Sequence, residues 1–300
     1  VSEVAEAKTA EAKIAEAKIA EARGCLATLG RVVVALSGGV DSSLLLALAV
    51  DELGADAVVA ATIAGVVDVE QDLEAAATLA AALGVQHEVV RVNELGIEGF
   101  SANTPQRCYL CRRAMCASLS TLALERCAAV VDGANADDLS DYRPGMRAAA
   151  EAGVRHPLAE AGLTKAEIRA AARARGLSSW NRPASPCLAS RFPYGERITV
   201  EGLRMVAAAE SFLHSLGFDV ARVRHEGRVA RLEVPVGRIP ELTSPEVREA
   251  VDSHLRDMGY AYVTVDLRGF RSGSLNEVLD DESRGRPKRP AAGAGGTSPG

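Results

Sequence analysis

Apolar and polar positions switch between two periods along this chain. Short runs rich in β-branched residues, 32–36, 57–63, 86–92 and 128–132, alternate with longer stretches, 41–53, 69–83, about 108–126 and 164–175, whose apolar residues recur at helical spacing. Strand followed by helix, repeated, predicts an α/β fold: a parallel sheet with helices on both faces and its ligand crevice at the carboxyl ends of the strands. After the Pro-rich loop Arg182-Pro183-Ala184-Ser185-Pro186 the pattern changes. A helix at about 200–216, strands near 220–225 and 228–235, a helix at about 245–258 and a strand at 260–266 predict a smaller α+β unit. The expected domains are therefore 25–182 and 183–280.

The two ends read differently. Glu6 to Ala20 is a pentad repeat of Glu-Ala-Lys type, helical by propensity. A period of five drifts around a 3.6-residue helix, so Thr9, Ile14 and Ile19 form no lasting stripe and residues 1–24 are expected to be a solvated leader. Asp281 to Gly300 is rich in Gly, Pro, Ser and charge and is expected to be disordered.

Composition narrows the function classes. Three hundred residues, 48% of them hydrophobic, can bury the cores of two domains. A formal net charge of −6 argues against broad nucleic-acid binding. No apolar run reaches membrane-spanning length and the pentads are no signal-peptide core, so a cytoplasmic protein is expected. Six cysteines in that compartment point to thiols, metal ligands or catalytic groups before disulfides.

The most informative junction is where the first strand ends. Leu36 leads into Ser37-Gly38-Gly39-Val40-Asp41-Ser42-Ser43. Two glycines let the backbone approach a ligand, the serines add hydroxyls, and Asp41 opens a helix whose positive end faces the turn. Such a cradle suits a phosphate. The spacing is neither that of the Walker loop nor that of the three-glycine dinucleotide fingerprint. The fourth strand ends in Asp132-Gly133-Ala134-Asn135-Ala136-Asp137-Asp138, carboxylates suited either to Mg²⁺ or to a capped turn. Arg222 and Arg224 flank Val223 and so share one strand face, suited to a phosphate or carboxylates, or to surface ion pairs.

Cys108 and Cys111 form a CxxC pair, and Cys187 stands alone in Pro186-Cys187-Leu188-Ala189-Ser190-Arg191-Phe192-Pro193-Tyr194-Gly195. A thiolate is a strong nucleophile and a soft metal ligand, and the nearby Arg107, Arg112 and Arg191 favour it. Cys25, Cys116 and Cys127 read as small packing residues.

The string Ser37 to Ser42 resembles the pyrophosphate-binding loop of the ATP pyrophosphatases. Together with Asn103 to Cys111, Asp132 to Gly145, Pro186 to Gly195 and Gly269 to Asn276, it is similar to the LarE family of ATP-dependent sulfur transferases across about 25–280. The resemblance implies a Rossmann-like PP-loop domain that adenylylates a carboxylate of pyridinium-3,5-biscarboxylic acid mononucleotide, releasing pyrophosphate. Sulfur then arrives via Cys187 to give a thiocarboxylate, on the route to the nickel-pincer nucleotide. It implies ATP contacts at Leu36, Ser37, Gly38, Gly39, Asp41, Ser42, Ser43 and, for the adenine, Thr62. Ser190, Arg191, Arg222 and Arg224 would bind nucleotide or substrate phosphate, with Asp138 or Glu210 on Mg²⁺. Glu210, in an Ala-rich helix, also reads as a solvated residue.

Two sulfur sources exist in the family. Either Cys187 gives up its own sulfur and becomes dehydroalanine, or Cys108, Cys111 and Cys187 ligate a [4Fe-4S] cluster that carries an extra sulfide. Having all three cysteines favours the cluster, which allows repeated turnover. A homo-oligomer is expected, with no nucleic acid or membrane partner. The alternatives are a tRNA thiolase, an amide-forming synthetase with no need of Cys187, and a nucleotide-binding module without chemistry.

Overall fold

The computed structural model describes residues 2–66, 70–140, 144–182, 186–271 and 273–279. Tyr142, Arg143, residues 183–185, Ser272 and the tail expected to be disordered lie outside the described residues. The four apolar runs form one parallel sheet, β1 (Val32–Ala35), β2 (Val58–Ala64), β3 (Gln86–Arg91) and β4 (Ala129–Asp132), in the order β3-β2-β1-β4. Val32 pairs with Val58 on one side and Ala129 on the other. Because side chains alternate across a strand, Val32, Val34, Val58 and Ala60 enter one buried cluster while Val33, Val59 and Ala61 enter another. Both faces of β1 and β2 are covered, which is why those runs are apolar, whereas the edge strand β3 carries Gln86, His87, Glu88 and Arg91 and is exposed or half-buried along its length.

Helices α1 (Ser2–Leu29), α2 (Val40–Leu53), α3 (Glu70–Ala82) and α4 (Arg107–Glu125) are joined by α5 (Pro144–Glu151), α6 (Pro157–Glu160) and α7 (Lys165–Ala174). The short α5 and α6 are absent from the sequence pattern, being too short for helical periodicity to show. α2 is buried almost all round, from Ser42 to Ala49. It is covered by α1 and α7.

The leader expectation needs correction. α1 runs unbroken into the fold: Ala22 and Leu26 are fully buried, and Ile19 packs against the same cluster. Lys18 pairs with Glu167 at 2.7 Å and Arg23 with Glu52 at 2.9 Å. Local periodicity missed this because Ile19, Ala22, Leu26 and Leu29 form a stripe only where the pentads stop.

A second sheet holds β5 (Arg222–Glu226), β6 (Val229–Glu233) and β7 (Tyr262–Val265), with β5–β6 antiparallel and β6–β7 parallel. It packs against α8 (Val200–Ser215) and α10 (Pro245–Asp257), with the one-turn α9 (Ile239–Leu242) beside them. A further apolar cluster, Phe100, Leu188, Ala189, Phe192, Ile198, Leu203 and Val206, joins the segment before α4, the loop at 188–198 and α8, with Cys111 and Cys187 packed against it.

β1 is flanked by β2 on one side and β4 on the other, so the chain leaves β1 and β4 in opposite directions and opens a crevice at their carboxyl ends. Gly133, just past β4, closes on the start of α2: a Cβ there would lie 2.7 Å from Ser42 N and 2.9 Å from the Asp41 carbonyl carbon. Gly133→Ala therefore forces two backbones apart. We expect it to cost about 1–3 kcal/mol, read as a lowered urea midpoint, and to weaken ATP binding by displacing the loop.

Candidate active site

The glycine turn after β1 is built as the sequence pattern implies, but its hydroxyls face inward. Gly38 has φ 74°, and a Cβ on it would meet the Asp72 carbonyl at 2.4 Å. Only glycine fits there. Ser42 Oγ and Ser43 Oγ donate to the Gly39 carbonyl at 3.2 and 2.8 Å, and the Ser37 and Ser42 hydroxyls lie 3.1 Å apart. The serines thus shape the turn, and the first-turn amides of α2, which have no acceptor within the helix, are left to meet an anion. Leu36 is buried, its N–H on the Ala61 carbonyl at 2.8 Å. Thr62 is buried too, its hydroxyl committed to His87 Nε2 at 2.8 Å.

Two cations at this turn escaped the sequence reading. Lys165 pairs with the Asp41 carboxylate, whose other oxygen accepts from Asn135 Nδ2 at 3.3 Å. Lys165 is the first residue of α7, where a cation is disfavoured by the helix dipole, and that misplacement was the available signal. Arg182 donates to the Gly38 carbonyl at 3.2 Å and pairs with Asp72 at 2.8 Å, fastening the turn to α3.

The acidic segment after β4 divides. Asp132 is buried and held by Arg112 and by His156 Nδ1 at 2.6 Å. Burial alone would raise its carboxyl, but the His156 hydrogen bond and Arg112 hold it below the ordinary range. Asp138 closes a turn, accepting from Asn135 N at 3.1 Å, while Asp137 accepts from Lys165 N at 2.9 Å. Among the described residues no three His, Cys, Asp or Glu side chains are grouped so as to hold a metal ion.

Arg112 also locates the thiols. It follows Cys111 on α4 and reaches Asp132, next to Gly133 and the glycine turn, so the nucleotide loop and the CxxC pair lie along one edge of the sheet. Cys187 is half-buried. Burial pushes its thiol up, Arg107 and Arg191 pull it down, and Cys108 adds to the push. The cysteine loop is a single 3-10 turn from Leu188 to Arg191.

Arg191 is where structure and expectation part. It is 1% exposed, and its guanidinium is filled by the Glu210 carboxylate at 2.8 and 2.7 Å, the Pro186 carbonyl at 2.6 Å, the Cys187 carbonyl at 3.3 Å and Ser190 Oγ at 2.9 Å. It holds the backbone around Cys187. Glu210, expected on Mg²⁺ or in solvent, is buried, and besides Arg191 it accepts from Val223 N at 3.0 Å. Both oxygens are taken, so it is the counter-ion of Arg191. Ser190 Oγ is likewise held by Arg191, and its carbonyl accepts from Arg224 at 2.8 Å.

Arg222 and Arg224 do share a face, but they are buried, not surface ion pairs. Arg224 also bonds Glu233 at 2.6 Å and Ser274 Oγ at 2.8 Å, and Arg222 lies over the Phe270 ring at 5.5 Å. Phe270 and Ser274 thus pack against these arginines. Burial, with Arg191 and Arg224 close by, pushes the Arg222 guanidinium down to about 10, an environment that favours an arriving anion.

Under the cysteine loop, His225 packs on Phe192 with ring centroids 4.8 Å apart and shares a 3.0 Å hydrogen bond with Tyr260. Burial lowers its pKa below 6.5, against the opposing pull of Glu196 and Glu201. The unfolded chain therefore binds a proton there at higher pH than the folded one. Its contribution to stability is intact above pH 6.5 and is lost as pH falls through 6.5 toward the depressed folded value. Thermal melts from pH 7.5 to 5 should show a shallower acid loss in His225→Gln than in the wild type.

A family model described as NAD synthase matches residues 23–121, which includes the glycine turn and CxxC but stops before Cys187. An uncharacterised protein of Synechocystis is 43% identical over 84% of this chain and 94% of its own length. The pyridinium-3,5-bisthiocarboxylic acid mononucleotide synthase of Lactiplantibacillus plantarum is 40% identical over 85% of this chain and 92% of its own. An NH(3)-dependent NAD(+) synthetase of Halobacterium salinarum shares only 63 residues, at 41% identity, 21% of this chain and 24% of its own. Likeness to the synthetases is thus confined to one stretch, whereas likeness to the sulfur-inserting relative runs through both sheets, and the chain belongs to the LarE family of PP-loop, ATP-dependent sulfur transferases.

Proposed function

We propose that the protein uses ATP to adenylylate a carboxylate of pyridinium-3,5-biscarboxylic acid mononucleotide and then delivers sulfur to it through Cys187. The observation that carries this reading is a half-buried thiol whose backbone is fixed by a fully engaged arginine, beside the buried pair Arg222 and Arg224. A substrate carboxylate oxygen attacks the α-phosphorus of ATP, the bond to the β-phosphate oxygen breaks, and pyrophosphate departs along the glycine turn. Lys165 and the first-turn amides of α2 stabilise its charge. In the route where Cys187 gives up its own sulfur, its thiol loses a proton, the sulfur attacks the activated carbonyl carbon and AMP leaves, giving a thioester. Arg222 and Arg224 hold the substrate's phosphate or second carboxylate.

Mg²⁺ fits beside Asp138, since this ion is bound by one or two carboxylates together with substrate phosphates and needs no all-protein cage. Cys108, Cys111 and Cys187 offer the soft thiolate donors that a [4Fe-4S] cluster takes, but in this structure the three are not grouped so as to hold a metal ion. When bound on Cys108, Cys111 and Cys187, the cluster would supply a replaceable sulfide. Without it, a proton leaves the α-carbon of Cys187, the carbon–sulfur bond breaks, and the sulfur departs as the product thiocarboxylate, leaving dehydroalanine.

The test is anaerobic incubation with ATP, Mg²⁺ and the biscarboxylate, measuring pyrophosphate, thiocarboxylate, protein mass, iron and sulfide. Pyrophosphate and thiocarboxylate with iron and unchanged mass indicate the cluster; with a loss of one H₂S per chain they indicate sacrifice. A protein that binds ATP and substrate but yields no pyrophosphate overturns the reading.

A further inference from the structure

Two segments distant in sequence, 101–107 and 189–198, are hydrogen-bonded to each other with unusual completeness. Asn103 is fully buried in the left-handed region at φ 52°, a conformation that costs a non-glycine residue on the order of 1 kcal/mol and persists only where surroundings impose it. Its Nδ2 donates to the Pro193 carbonyl at 2.7 Å and the Phe192 carbonyl at 3.2 Å. Its own carbonyl accepts from Gly195 N at 3.1 Å, and two residues earlier the Ser101 carbonyl accepts from Ile198 N at 3.0 Å. The Asn103 Oδ1 accepts from Arg107.

Arg107 continues the same network to the thiols. It is buried, and Nη1 also reaches the Ala189 carbonyl, two residues past Cys187, at 2.9 Å. Nη2 lies 3.7 Å from Cys108 Sγ. The apolar cluster around Phe100, Leu188 and Phe192 brings the segments together, but apolar contact has no direction and would tolerate a slipped register. The hydrogen bonds do not, because any slip leaves buried carbonyls and a buried guanidinium unpaired.

We propose that Asn103 and Arg107 are positioning residues that lock the Cys187 loop in register against the start of α4, so that Cys187, Cys108 and, one turn along, Cys111 border one space. This rests on the reading of Cys187 as the sulfur-bearing group and adds what places it. The strain at Asn103 is the cost of aiming its side chain at the cysteine loop.

The test uses the full chain, reduced and anaerobic, with dibromobimane, a short reagent that alkylates two nearby thiols with loss of two bromides and two protons. Bridged peptides are mapped by mass, and amide exchange at Val33 and Val34 monitors the sheet. The wild type should give a Cys108–Cys187 bridge. Asn103→Gly, which keeps the left-handed backbone and loses only the side-chain bonds, should lower its yield about tenfold, the equivalent of one or two net hydrogen bonds. Arg107→Met should do the same, and Arg107→Lys, which can keep one acceptor, should restore part of the yield. Cys187 should still take single alkylation, and the sheet amides should stay protected. No bridge in the wild type, unchanged yield in Asn103→Gly, or a loss that only tracks sheet protection would overturn the proposal. Sulfur transfer is not measured, so a failure of the proposed reaction would leave this result standing.

Discussion

Cys187→Ser should lower thiocarboxylate formation by on the order of 10³-fold or more, while ATP-dependent pyrophosphate release with the biscarboxylate present should continue. The split follows from geometry. In the proposed reaction pyrophosphate release rests on the glycine turn, Lys165 and the amides of α2, none of which is hydrogen-bonded to residue 187. The group that delivers sulfur in that reaction is the side chain at 187, and a serine there has no sulfur to give. Burial already pushes the thiol up, and a serine hydroxyl in the same place is far harder to ionise and is no soft ligand for iron. The Arg191 contacts to the Pro186 and Cys187 carbonyls are main-chain bonds, so the loop keeps its shape in the variant. Parallel assays of pyrophosphate and of product mass on one preparation check the split. Full thiocarboxylate yield from the serine variant would remove Cys187 from the reaction and leave the sulfur to come from another group.

Much of this site is legible because its chemistry is local. The turn from Ser37 to Ser43 directly follows a strand, and the segment order alone places it at the carboxyl edge of a parallel sheet. What stayed hidden is long-range pairing. Glu210 sits among alanines on α8, and nothing within a helical turn of it shows that a guanidinium nineteen residues earlier in the chain fills both its oxygens. Arg191 looked like a free phosphate ligand for the same reason. Ile19 looked solvated because its pentad neighbours Thr9 and Ile14 make no stripe, while its partners Ala22 and Leu26 lie beyond the repeat. Lys165 and Asn103 differ in kind. Each breaks a local rule, a cation at a helix start and a non-glycine residue at positive φ, and such breaks mark places where tertiary contacts decide.

Glu210→Ala should cost about 3–5 kcal/mol of stability and disable sulfur transfer, whereas pairing it with Arg191→Met should recover much of the stability and none of the transfer. Removing the carboxylate leaves the Arg191 guanidinium buried at 1% exposure with its main partner gone, close to Arg222 and Arg224, so three positive groups lose one of the two carboxylates that balance them. Taking away Arg191 as well removes the stranded charge, and methionine fills part of the volume its stem occupied. The Cys187 and Pro186 carbonyls, however, then lack the donor that fixes the cysteine loop. Urea midpoints and product yields measured on both variants separate the two roles. If the double variant is no more stable than Glu210→Ala, the pair acts through packing and not through charge. If it transfers sulfur at the wild-type rate, the loop is held by the Asn103–Arg107 network without help from Arg191.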